Sequence, residues 1–128
     1  MELITIQEAI DNVDLRKANA FPPEMKKAWL NELDKKIWHN IYMTHEGTPP
    51  VACFHGYDQD TDPATKLLIP EPYTEVYLHW MSAQMDLANM ESAKYAQNRQ
   101  LYNAAYQAFE DFWRRTHMPR TRRKYIRF

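Results

Sequence analysis

The stretch GYDQDTDP, residues 56–63, sets Asp58, Asp60 and Asp62 at every second position. Alternating carboxylates open a calcium loop, so the chemistry this spacing asks about is metal binding. A loop of the EF-hand kind also needs glycine at its sixth position and a bidentate glutamate at its twelfth. Counted from Asp58, those positions hold Pro63 and Ile69, and proline does not adopt the positive φ that the glycine supplies. The aspartates are therefore expected to shape and solvate a turn, with no metal held there.

His45, Cys53, His55 and Asp58 fall within 14 residues. On a strand, Cys53 and His55 would face the same side. Structural zinc sites use paired cysteines or a repeated Cys/His spacing. A Cys–His nucleophile needs an oxyanion hole and an acid that orients the base. Neither pattern is written here, so the expectation is no catalytic, cofactor-binding or metal residues: not an enzyme, and a small buried cysteine beside a loop histidine. Cys53 is the only cysteine, which excludes an internal disulfide and fits a reducing compartment.

The third constellation is basic. Residues 1–113 carry nine Lys or Arg against all 17 acidic residues, a net −8. Residues 114–128 carry Arg114, Arg115, Arg120, Arg122, Arg123, Lys124 and Arg127 with no acid, a net +7. Interleaved with Tyr125 and Phe128, these cations form a candidate interaction tail. It suits phosphate contacts or an arm laid on an acidic neighbour. Cations without a folded groove read no base sequence, so specific DNA recognition is not expected.

These residues need elements to position them. Thr5 and Glu8 have the spacing of a capping box, predicting a short helix over about 6–12. Pro22 and Pro23 suit the first turn of a second helix, in which Leu30, Leu33, Ile37 and Ile41 recur on one face until about Thr44. Pro72 is read as starting a third helix, with Val76, Trp80, Ala83 and Leu87 as its stripe, Tyr77, Met81 and Ala88 beside it, and Asn89 as its end. A fourth helix carries Tyr95, Tyr102, Tyr106, Phe109 and Trp113, joined by Ala105 and Phe112, with Pro119 as its limit. Aromatics at that spacing are expected to fill a core, although Tyr77, Trp80 and their neighbours could also stack on bases.

Residues 45–70 lie between the long helices. VACFHGY and TKLLI read as two short strands around the acidic turn, forming a hairpin or a long ordered loop that projects from the body. The fold class is thus mainly α: three to four helices in a single domain over residues 1–119, with 120–128 as a basic tail. Only two residues are glycine, which excludes a phosphate-cradling loop. The first residues, MELITIQEAI, lack the basic flank of a signal peptide. No apolar run approaches the roughly 20 residues of a membrane helix. The expected setting is the cytosol, or an assembly built there.

Three segments together carry a resemblance: NAFPPEMKKAWLNELDKKIW, LLIPEPYTEVYLHWMSAQMDLAN and YNAAYQAFEDFWRRTHMP. Their order and spacing, over roughly residues 18–119, resemble small head–tail connector (adaptor) proteins of tailed phages and of Gram-positive prophages. The resemblance lies in helix-face patterns and carries no catalytic signature. It implies a helical protein that assembles as a homo-oligomeric ring under the portal, meets portal and tail-completion proteins, and joins capsid to tail. Its places would be the bacterial host cytoplasm during assembly and then the virion neck. A nucleic-acid-associated protein using the tail in packaging or regulation, through non-specific DNA contact, is the second expectation.

Overall fold

The computed structural model describes residues 2–47, 49 and 53–118. In chain order they form β1 (Leu3–Thr5), α1 (Ile6–Arg16), α2 (Pro23–Ile37), a π-helical turn (Trp38–Tyr42), β2 (Lys66–Pro70), α3 (Glu75–Ala88) and α4 (Ser92–Thr116). The chain is mainly helical, as the periodicities predict.

Local chemistry starts and stops these helices. Thr5 Oγ1 accepts the Glu8 N–H at 3.1 Å while Glu8 Oε1 accepts the Thr5 N–H at 3.2 Å, closing the capping box. Pro23 occupies the first turn of α2, where a missing N–H is harmless. The π turn continues α2 without a break, its closing bond running from the Met43 N–H to the Trp38 carbonyl at 2.9 Å. Asn89 ends α3, and Met90 takes the left-handed φ of 59° at which glycine is the usual residue.

One hydrophobic cluster holds the elements together. Leu30, Leu33, Ile37 and Ile41 from the α2 rod meet Leu67–Ile69 of β2, Val76, Tyr77 and Met81 of α3, and Tyr102, Phe109 and Trp113 of α4. Tyr42 sits edge-on to Trp113 with ring centroids 4.6 Å apart, and Phe109 lies edge-on to Tyr42 and tilted against Trp113. Tyr77 and Tyr102 are each 1 % exposed, so these aromatic rings are core and unavailable to bases.

Several sequence expectations are corrected. Helix α1 runs four residues further than expected, to Arg16, and α3 begins at Glu75 because residues 71–74 form a turn. The inward side of α3 departs from its predicted stripe at the end: Val76 and Ala83 are buried, with Tyr77 and Met81 buried beside them, but Leu87 is 55 % exposed and Met85 is buried instead. With apolar residues around most of that helix, periodicity alone does not choose the inward side.

The strand pairing also differs. β2 pairs antiparallel with β1, not with Cys53–Tyr57, which has no strand among the described residues. A three-residue strand at the extreme of a chain has too short a pattern to be read. Nor does the 45–70 segment simply project: Tyr57, Leu67, Leu68 and Ile69 enter the core.

Candidate functional site

The tail expected to act in assembly is rooted at the end of α4. Arg114 and Arg115 occupy its last turn, both exposed, where cations suit the helix dipole. Arg114 also reaches Glu110, one turn back, at 3.2 Å. Arg120, Arg122, Arg123, Lys124 and Arg127 lie outside the described residues.

The root is built by a device used twice. Thr116 Oγ–H donates to the Phe112 carbonyl at 3.0 Å, and His117 Nδ1–H to the Trp113 carbonyl at 3.1 Å. At the end of the π turn, Thr44 donates to Asn40 at 2.7 Å and His45 Nδ1–H to Ile41 at 3.0 Å. In both, the Thr–His pair satisfies carbonyls that a helix end leaves open. Because a carbonyl only accepts, each Nδ1 carries the hydrogen.

The two capped ends then meet. The Glu46 N–H donates to the Met118 carbonyl at 2.6 Å. His117 stacks on Trp113 with centroids 3.8 Å apart and presses on Gly47, where an added Cβ would stand 2.1 Å from its ring. The end of α4 is therefore held to the end of the π turn as far as Met118. Removing residues after Pro119 spares all these contacts, so the truncated protein should keep its cooperative thermal unfolding by circular dichroism. A broad, uncooperative melt would place the tail in the fold.

The acidic turn lies far from that root. Asp58 Oδ1 accepts the Asp60 N–H at 2.9 Å and the Thr61 hydroxyl at 3.1 Å, and Asp62 Oδ1 accepts the Ala64 N–H at 2.9 Å. These are Asx turns, the local use of Asp that the sequence suggests. Lys27 holds the Thr61 carbonyl at 2.9 Å, and the Pro63 carbonyl accepts the Gln7 N–H at 3.0 Å. The turn is thereby pinned to the first turns of α1 and α2. No group of three or more His, Cys, Asp or Glu side chains is placed to hold a metal ion among the described residues.

Of the His45, Cys53, His55 and Asp58 set, only Cys53 and His55 come together, Sγ to Nε2 at 3.3 Å. Both are exposed, which corrects the expectation of a buried cysteine. The segment runs over the outside of the α2 rod and puts Phe54 and Tyr57, instead, against it.

The sequence reading overlooked a buried carboxylate. Asp34 is fully buried on α2 and accepts the Tyr57 hydroxyl at 2.6 Å, the Tyr77 hydroxyl at 2.7 Å and the Leu68 N–H at 3.2 Å. Tyr77 in turn accepts the Ile69 N–H at 2.7 Å. Burial pushes Asp34 up to about 6, and the three donors offset only part of that rise. Burial and the Asp34 charge raise Tyr57 and Tyr77 well above the ordinary tyrosine range, so both stay protonated as donors. The network ties α2, the 53–58 segment, β2 and α3 to one point. Its signal was an acid one turn beyond Leu30 and three residues before Ile37, inside the apolar stripe. A second buried acid, Asp86 of α3, is met by Lys17 at 2.6 Å and Asn98 at 2.5 Å, joining α3 to α4 and the end of α1.

Comparison of the chain with family models, with curated proteins and with solved structures finds no match. No described helix is long and apolar enough to cross a membrane.

Proposed function

We propose that this protein is a structural assembly component, a head–tail connector (adaptor) that joins portal and capsid to the tail as a member of a homo-oligomeric ring. The observation that carries the reading is the polarity of the body. An acidic turn is pinned beside the first turns of α1 and α2, while the basic segment starts where the π turn and α4 end. Residues 27 and 44 of that continuous rod stand roughly 25 Å apart at helical rise. A copy built this way presents unlike charge to its neighbours at two separated places, which suits head-to-tail packing in a ring. Exposed charges are individually weak and salt-screened, so they would steer assembly more than hold it.

The second reading spends the seven cations of residues 114–128 on nucleic-acid phosphates, with affinity falling steeply as salt rises. The −8 charge of residues 1–113 opposes it for a lone chain. Sedimentation with and without a portal ring, beside a titration with non-specific duplex DNA at moderate salt, separates the two. The expected result is co-sedimentation with portal or tail-completion proteins and weak DNA binding. Tight DNA binding with no portal association would make the nucleic-acid reading the better one.

A further inference from the structure

A surface groove of about 290 Å³ runs beside the end of α1, lined by Arg16, Lys17, Leu78, His79 and Leu101 among others. Leu101 is 46 % exposed and Arg16 is exposed. Lys17 is spent on Asp86, whereas Arg16 has no ion pair among the described residues. Its acidic neighbour is Glu75, on the adjoining wall towards Glu71. Burial holds His79 below its ordinary value, with Glu75 pulling it up and Arg16 down, leaving a neutral ring near pH 7. The groove therefore offers one guanidinium without an ion pair among the described residues, together with Leu78 and Leu101, on a lining that also includes Ser82 and Asn98.

The acidic turn has the opposite composition. Asp58 and Asp62 each give an oxygen to the turn's own hydrogen bonds, but the Asp60 carboxylate has no partner among the described residues. Pro63 and Ala64, both exposed, follow it. Within one chain the two surfaces cannot meet. The turn is bound to Ile6 and Gln7 at the start of α1, and Arg16 ends that helix, roughly 15 Å away at helical rise.

We propose that this groove seats the 58–64 turn of a second copy of the chain, with Asp60 against Arg16 and Pro63 and Ala64 over Leu78 and Leu101. One copy carries turn and groove at opposite ends of α1, so a head-to-tail repeat of the contact leaves a turn and a groove open to further copies, as a ring requires. It rests on the ring reading for head-to-tail packing, and it seats the acidic turn on the neighbour's Arg16 groove instead of on the basic segment that follows α4. Apolar burial supplies adhesion, and the single ion pair sets register.

Charge exchange tests it. Arg16 and Asp60 are exposed, so Arg16→Glu and Asp60→Lys should leave the fold intact, checked by circular dichroism. Sedimentation at low salt should show concentration-dependent association of the unaltered protein. Each variant alone should associate about tenfold more weakly or worse, because like charges across a contact are disfavoured. An equimolar mixture of the two variants should recover association, since each then meets an opposite charge. An unaltered chain that stays monomeric at every concentration, variants that associate normally, or a mixture that recovers nothing would each overturn the contact. The ring reading fails separately, by absence of portal association.

Discussion

Phe109→Ala should lower stability by about 3–5 kcal/mol, the range for truncating a buried aromatic ring. Phe109 is 0 % exposed and packs against Tyr42, Tyr73 and Trp113. Those rings belong to the π turn, the 71–74 turn and α4 itself, so none can move in without disturbing another element. The void would stay largely open, and the loss would include the cavity as well as the transfer energy. Against the roughly 5–15 kcal/mol that a domain has in total, such a loss is large. A urea denaturation midpoint unchanged by the substitution would mean that α4 does not centre the core.

Asp34→Asn should abolish a pH dependence of stability that the parent protein carries with a distinctive sign. In the folded chain Asp34 titrates at about 6 against an ordinary 3.8, so the folded state keeps its proton to higher pH than the unfolded one. Its contribution to stability is therefore fullest below about pH 4, declines as pH rises towards 6, and is flat above. The range corresponds to about 3 kcal/mol, at about 1.4 kcal/mol for each pH unit. Asparagine removes that titration but turns an N–H₂ towards a tyrosine hydroxyl that is already donating. Near pH 4 the variant should be less stable than the parent by about 1–3 kcal/mol, the cost of one mismatched buried group. Towards pH 7 the gap should close, because the parent then carries a buried charge with no cation paired to it among the described residues. Urea denaturation of both proteins from pH 4 to pH 7 measures the difference. A gap that widens with pH would show that the carboxylate is stabilised as an anion and that the sign is wrong.

By itself the sequence determined the helical class and most helix ends, because caps and periodicity act within a few residues. Thr5 with Glu8, Pro22 with Pro23, and Asn89 each work on backbone groups three or four positions away. The use of Asp58 and Asp62 as turn formers was legible for the same reason. Tertiary structure decided the rest, wherever the partner lies far along the chain. The sequence offered only the 51–57 stretch as the partner of β2, and Leu3–Thr5, too short to show a strand pattern, pairs with it instead. The inward face of α3 depended on which helices flank it. Asp34 looked like a polar break in an apolar stripe until Tyr57, Tyr77 and Leu68, 23 to 43 residues away, supplied its donors. The separation of the acidic turn from the root of the basic tail was likewise invisible as charge counts. It needed the α2 rod, with its π turn, to hold the two at opposite ends. A local signal fixes conformation because its energy is complete within one helical turn; a pairing or a buried charge is settled only when distant chain segments close around it.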